Sequence, residues 1–509
     1  MRRKSCCIYA TGIIATHLLI VGIALMIADV FPGLIVKKLK AEITLTEGSK
    51  VFDSWKNPPP PVFMEFFFFN VTNPKEYLSG QAKPRVAEVG PYTYREYRPK
   101  DNVTFVENGT KVAAYTPKTF VFLREKSVGD PGVDTITTVN VPALAVMNQM
   151  QGSFFRAPVA KAWMKMLNIT GILTARTVSE LLWGYEDPLL MKAAALKKGL
   201  TTNFGFMLDK NGTHDGELVY FTGEKDYLDY GRVDTWKGQR ELTYWGSNYS
   251  NLIRGSDGSA FHPYLTKEET LHIFTPDLCR SIYMNFDKEV DVKGIPAYRF
   301  TPPRSVLASA KENPDNAGFC LNPKKCLGSG VLKVDVCKKD VPIVASFPHF
   351  YLGDEEYPNA VDGISPVKEH HQTYVDLNPT TGIMVRASKR AQFNILVEYL
   401  SSFPMTKLNT TVFPLFFLNE TVVVDDASAA RLHRLLLIAK IGSNFPVFII
   451  GLGALLVIIL LILVIRLHMK KTTSKEDTIY SPVNDKTEDY DNSKNGNYVG
   501  LTPVKAERA

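Results

Sequence analysis

The sequence predicts an α+β membrane protein: a large, mostly antiparallel β ectodomain with a small helical cluster, held between two transmembrane helices. Three observations predict it. Long apolar segments lie near both ends, eight N-glycosylation triplets all fall between them, and strand-like patterning runs through most of the middle.

The first span is 7–30, almost continuously apolar, interrupted by small residues, two threonines and His17. The second is 445–467, rich in Ile, Leu, Val and Gly, with no charge before Arg466. Each is long enough to cross a hydrocarbon layer roughly 30 Å thick as a helix. A cleaved signal peptide is the competing reading of the first span, because Arg2, Arg3 and Lys4 precede it. Its apolar stretch exceeds an ordinary signal core, however, and no small-x-small cleavage site follows.

Basic residues flank both spans on the outer ends of the chain: Arg2, Arg3 and Lys4 at one, Arg466, Lys470 and Lys471 at the other. That asymmetry places both termini, 1–6 and 468–509, in the cytosol, although Lys37, Lys38 and Lys40 weaken the contrast. The sequons decide it. They begin at Asn70, Asn102, Asn108, Asn168, Asn211, Asn248, Asn409 and Asn419, and none lies in a tail. Glycans are added on the lumenal side, so 31–444 is an ectodomain.

A chain of 509 residues with ordinary apolar content and a net charge of +7 is globular outside its spans. The charge is spread along the chain, without the long basic run of a nucleic-acid binder. Four of the six cysteines, Cys279, Cys320, Cys326 and Cys337, cluster in the ectodomain. In an oxidising lumen they read as two disulfides, with three pairings open. A zinc site is the alternative, but the cluster holds no CxxC pair and no histidine, so no metal is expected. Cys6 and Cys7 sit at the cytosolic edge of the first span as candidate palmitoylation sites; two unmodified thiols are the competing reading.

Within the ectodomain, 62–71 (VFMEFFFFNV) is too apolar for a strand with one wet face and is expected to be buried on both sides. Further strands are expected near 119–123, 217–222, 297–300, 331–336 and 383–397. Turn chemistry separates them: Asn-Gly at 108 and 211, Asp-Gly at 215 and 257, Asn-Pro at 378. From Pro142 to about Lys198 the pattern turns helical, rich in Ala, Leu, Met and Lys. Thr177-Val178-Ser179-Glu180 is a capping box opening Leu181-Leu182-Trp183, and Pro158 suits the first turn of a helix leading to Leu167. That helix carries Phe154, Phe155, Trp163, Met164, Met166 and Leu167 beside Arg156, Lys161 and Lys165. A partner-docking surface is one reading; an amphipathic helix packed on the core with its lysines in water is the other.

Catalysis finds little support: there is no GxSxG elbow, P-loop, HExxH or dinucleotide fingerprint. His370 and His371 beside Glu369, and His349, lack partners at metal spacing and read as structural or surface histidines.

Several motifs resemble the class B scavenger receptor family. They are Phe52-Asp53-Ser54-Trp55, Asn70-Val71-Thr72-Asn73-Pro74, Glu88-Val89-Gly90-Pro91-Tyr92, Leu181-Leu182-Trp183-Gly184-Tyr185 and Ser346-Phe347-Pro348-His349-Phe350. The stretches Asp315 to Cys320 and Cys326 to Gly330 add to the likeness, which runs from the first span to about Val424. The resemblance implies an antiparallel β-barrel topped by a helical bundle (about 142–200) at the membrane-distal apex, with a hydrophobic tunnel carrying cholesterol or other lipids. It implies disulfides Cys279–Cys337 and Cys320–Cys326, no cofactor beyond glycans and bound lipid, and ligand binding through Phe154, Phe155, Arg156, Lys161, Trp163 and Lys165. It also makes the phenylalanine-rich strand a candidate to line or support the tunnel. Expected ligands are lipoproteins and anionic phospholipids, or the hydrolase β-glucocerebrosidase that a lysosomal member carries; homo-oligomer formation is left open.

Two departures qualify that inheritance. Where the lysosomal member has a histidine thought to sense acid, this chain has Ser153, and Arg176 replaces a second histidine. The tail has no acidic dileucine signal; it holds Tyr480-Ser481-Pro482-Val483 and Tyr498-Val499-Gly500-Leu501. Tyr480, Val483, Tyr498 and Leu501 fit clathrin-adaptor recognition, with phosphotyrosine docking as the competing reading. The expected place is the late endosomal and lysosomal membrane, with the plasma membrane as alternative or transit.

Overall fold

The computed structural model describes residues 2–196, 201–337, 342–406 and 408–476, with side chains from 7 to 470 except that of Leu196. The chain divides into two compact units, 1–31 with 443–509, and 32–442.

The first unit is a pair of helices, Arg2–Ile27 and Phe445–Glu476. Stretches long and apolar enough to cross a membrane are Cys7–Ile27 and Phe445–Lys470, the first ending three residues earlier and the second three later than the sequence suggests. The pair is antiparallel: Gly12 meets Leu460, Gly22 meets Ile450, and the Phe31 ring lies 5.1 Å from Phe445. Small residues make the close approach. A Cβ on Gly22 would stand 2.7 Å from the Ile450 side chain, and one on Gly453 would stand 3.2 Å from the Ala15 carbonyl oxygen. In lipid, such packing is a main source of helix association.

The second unit is built on an eleven-stranded sheet. Its strands run in the spatial order Leu271–Thr275, Arg280–Val292, Ile295–Thr301, Tyr374–Leu377, Met384–Val397, Thr411–Val423, Val62–Val71, Val86–Tyr97 and Thr119–Phe122. A side branch joins Ile343–Ser346 to Met384–Val397, and Val331–Lys333 to Ile343–Ser346. Every pairing is antiparallel. Among the described residues this path is open: no pairing joins Thr119–Phe122 back to Leu271–Thr275, so a closed barrel is not what the ladder itself forms. A four-stranded sheet, Val233–Trp236, Leu218–Phe221, Lys111–Tyr115 and Asp101–Val106, completes the scaffold.

The phenylalanine-rich strand is central, paired with Thr411–Val423 on one side and Val86–Tyr97 on the other. Its two faces differ, which corrects the expectation of full burial on both. Met64, Phe66 and Phe68 are buried, while on the opposite face Phe63, Glu65 and Phe67 are half-buried and only Phe69 and Val71 are buried. Phe67 there stacks on Phe417, with ring centroids 4.5 Å apart.

The inward face receives the helical cluster. Helices Val141–Met150, Arg156–Met166, Val178–Trp183 and Pro188–Leu196 bring Leu144, Met147, Met164, Leu182 and Leu189 into one core with Phe66, Phe68 and Phe416. Each such side chain contributes roughly 1.5–3 kcal/mol by leaving water. The capping box forms: the Thr177 hydroxyl accepts from Glu180 N–H at 3.2 Å, and the Glu180 carboxylate accepts from Thr177 N–H at 2.9 Å. Trp183 then fixes the cluster to the sheet, its indole N–H donating to Tyr94 Oη at 3.1 Å.

Candidate ligand surface, cavity and buried histidines

The Arg156–Met166 helix has two faces set by its sequence. Ala157, Ala160 and Met164, at helical spacing, are buried against the core. Trp163 is half-buried beside them, packed against the core with part of its surface still accessible. Opposite, Arg156, Lys161, Lys165 and Met166 face solvent. Just ahead, Phe154 is 84% exposed and Phe155 80%, their rings edge to face at 5.2 Å. Ser153 helps start the helix: its Oγ accepts from Arg156 N–H at 3.3 Å. Asn168 follows the helix, exposed and with φ of 54°, while Ile169 N–H closes the last turn on the Met164 carbonyl at 2.8 Å. Arg176 lies 3.5 Å from Glu180 and 4.2 Å above the Tyr185 ring, a structural cation outside this face.

A cavity of about 200 Å³ lies within the 32–442 unit. Its wall mixes Phe347, Met384 and Val422 with Arg98, Lys118 and Glu420. The phenylalanine-rich strand does not line it; Phe66, Phe68 and Phe69 are committed to the core beneath the helices. The charges are paired. Arg98 donates to Glu420, Lys389 stands 3.8 Å from the same carboxylate, and Lys100 reaches Asp257 at 3.1 Å. Burial alone would protonate Glu420, but Arg98, Lys389 and Lys118 outweigh it and hold the carboxyl down at about 2. Glu96 goes the other way: burial and the neighbouring Glu420 charge raise it, and neither of its oxygens has a hydrogen-bond partner among the described residues.

Reasoning from sequence missed a third feature. Glu88, His349 and His371, from distant stretches of chain, converge with one ligand atom each within 4.8 Å of the others. His349 Nε2 lies 2.8 Å from Glu88 Oε2, and the two imidazoles stack 4.2 Å apart at 8°. Their Nδ1 atoms are both acceptors: Ser365 N–H donates to His349 at 3.0 Å and Val367 N–H donates to His371 at 2.8 Å. A neutral imidazole with a lone pair at Nδ1 carries its proton on Nε2. Metal-binding histidines show the reverse arrangement, donating an N–H outward while the other nitrogen ligates. The trio therefore does not fit a metal, despite its composition. Both rings are buried, which corrects their reading as surface residues for His371 and agrees with a structural one.

Disulfides join Cys279 to Cys337 and Cys320 to Cys326. Of the sequon asparagines, Asn102, Asn108, Asn168, Asn211, Asn248 and Asn409 are exposed and Asn70 is half-buried. Asn419 differs from these. It is 8% exposed in the sheet, its amide donating to Glu65 at 2.7 Å and accepting from Ser388 at 2.6 Å. Cys7 is an exposed free thiol. The Cys6 side chain and Tyr480, Val483, Tyr498 and Leu501 lie outside the described residues.

Across residues 13–464 the chain matches the model of the CD36 family. The chain belongs to the CD36 family. It is 44% identical over 452 residues to Lysosome membrane protein 2 of Homo sapiens, covering 88% of this chain and 93% of that protein. It is 44% identical over 449 residues to Lysosome membrane protein 2 of Rattus norvegicus. It is 31% identical over 470 residues to Scavenger receptor class B member 1 of Mus musculus, covering 91% of this chain and 90% of that one. The class B scavenger receptor motifs between Phe52 and Phe350 thus lie inside a CD36 family match that includes both apolar helices for most of their length.

Proposed function

We propose that this CD36 family protein is a binding and transport receptor of endosomal and lysosomal membranes. It docks a protein or lipid-bearing ligand on the 153–166 face and passes cholesterol or another lipid through its ectodomain. The observation that carries the reading is the exposed Phe154–Phe155 pair beside Arg156, Lys161 and Lys165. Two phenylalanines standing in water within a cationic rim are costly unless a partner covers them, and aromatic anchors of this kind dominate interface energies. The lysosomal placement is supported by near full-length likeness to Lysosome membrane protein 2. Both termini in the cytosol, adaptor recognition through the tail tyrosines and closure of the sheet into a lipid-conducting barrel belong to the same reading. No catalysed reaction is assigned.

β-Glucocerebrosidase is the protein ligand to test, at pH 7.4 and pH 5, on the full-length glycosylated chain with a Phe154→Ser/Phe155→Ser variant alongside. Binding at pH 7.4 that weakens on the order of 30-fold or more in the variant makes this chain a hydrolase carrier docking through that face. Failure to bind at either pH sinks the carrier role. A second reading, a cell-surface receptor for lipoproteins or anionic phospholipid particles, is favoured by the three cations on the face. Capture of phosphatidylserine vesicles, lost in the same variant, would support it.

A further inference from the structure

Among the described residues, three lysine or arginine side chains are buried: Lys100 at 4% exposure, Lys111 at 5% and Arg280 at 3%. Lys100 has Asp257 at 3.1 Å, and Lys111 has Glu107 at 2.8 Å and Asp234 at 3.0 Å. Arg280 has no carboxylate among the described residues; its Nε donates to the Ser281 carbonyl at 3.3 Å and its guanidinium lies 3.7 Å above the Phe319 ring. A buried charge without a counter-charge is what protein interiors avoid, so the wall around Arg280 asks for an anion.

That wall has the matching chemistry. Arg280 shares a small pocket with Arg254, His272, Tyr249, Ser281 and Tyr283, and among the described residues no aspartate or glutamate lines it. Arg254 lies 4.1 Å above the Tyr249 ring, so aromatic faces steady both guanidinium groups while leaving their edges for a ligand. Guanidinium groups only donate hydrogen bonds, and His272, whose imidazole already bonds the Thr270 backbone, adds a donor when protonated, whereas the Tyr283 hydroxyl donates to Ser305 at 2.7 Å. We propose that Arg254, Arg280 and His272 hold a small monovalent anion in this pocket. The room is about 20 Å³, against about 10–15 Å³ for one water, which admits a halide or a single carboxylate group and excludes a sugar or a nucleotide. A larger cavity of about 210 Å³ shares Arg280, Asn316 and Phe319 with the pocket and is walled by Trp245, Leu307 and Val331 with the Lys333–Asp335 pair, 3.4 Å apart, so a carboxylate could arrive with a partly apolar body attached. Burial lowers Arg280 to about 9, and burial together with Arg254 lowers His272; a bound anion relieves both.

The test is thermal unfolding of the full-length glycosylated protein in detergent, at constant ionic strength, with chloride replaced stepwise by gluconate, which is too large for the pocket. Bromide and acetate form two further arms. Chloride or bromide should raise the midpoint by roughly 1–3 °C over gluconate, as expected for a ligand that binds only the folded state. The rise should vanish in an Arg254→Met/Arg280→Met variant. A rise with acetate alone assigns the site to carboxylates. Should the variant fail to fold, broadening of the chloride-35 resonance by wild type, reversed by bromide, decides the matter. No anion dependence in wild type, or the same dependence in the variant, overturns the proposal.

Discussion

Between Ser153 and Met166 the exposed face holds two phenylalanines and three cations but no carboxylate and no histidine. The trio of Glu88, His349 and His371 is the opposite: two imidazoles, each 5% exposed, lie against an exposed carboxylate. The first region, the proposed docking face, has no histidine or carboxylate to gain a proton between neutral and lysosomal pH, since serine stands at 153. The second has the protonatable groups, but each Nδ1 is occupied by a backbone N–H. A proton added there would point one donor at another and charge two rings stacked at 4.2 Å. If the proposed docking face is the contact region, contact and acid sensitivity lie in different places, and altering each should move one property and spare the other.

The largest expected effect lies in the interior. Glu420→Gln removes the carboxylate that Arg98, Lys389 and Lys118 share. Breaking a buried ion pair costs about 3–5 kcal/mol. The low end is expected here, because Glu96, 3.9 Å from Arg98 and no longer repelled by Glu420, can ionise in its place. Chemical unfolding of wild type and variant at pH 7 measures it; a loss below about 1 kcal/mol would show that the network is solvated rather than buried.

That network was hidden from the sequence for a physical reason. Alternation along Thr411–Val423 and Val86–Tyr97 tells which residues share a face, but strand order decides which faces meet, and Arg98 and Glu420 are 322 positions apart. The same limit concealed the histidine trio and the Asn419 contacts with Glu65 and Ser388. Local signals were read correctly: the apolar spans, the Thr177–Glu180 capping box and the strand at 62–71 all depend on neighbours in the chain. Trp163 falls beside the inward stripe that Ala157, Ala160 and Met164 mark, so its half-burial is local too.

The next effect is on pH. Burial first, then the charges of His349, His370 and Arg390, lower His371 to about 3, whereas an unfolded histidine titrates near 6.5. Glu88 and the Phe417 ring complete its surroundings. Below about pH 6.5 the unfolded chain takes up a proton that the folded chain refuses. The stability tied to His371 is therefore whole above that pH and falls by about 1.4 kcal/mol per unit towards pH 3, or about 2 kcal/mol at pH 5. His371→Asn keeps an acceptor for the Val367 N–H without a titrating group. Its unfolding free energy should change less than wild type's between pH 7 and pH 5, and equal slopes would remove His371 as the source of acid sensitivity.

The smallest stability effect should belong to the region with the largest binding role. Phe154 and Phe155 project into solvent and contribute almost nothing to the core beneath, which rests on Ala157, Ala160 and Met164. Phe154→Ser/Phe155→Ser should leave the unfolding free energy within about 0.5 kcal/mol of wild type, the usual range for exposed positions. Its pH slope should also match wild type, because the substitution leaves His349 and His371 untouched. A loss well above 1 kcal/mol would mean that the rings cover the cluster rather than await a partner, and the separation between contact and acid response would then fail at its exposed end.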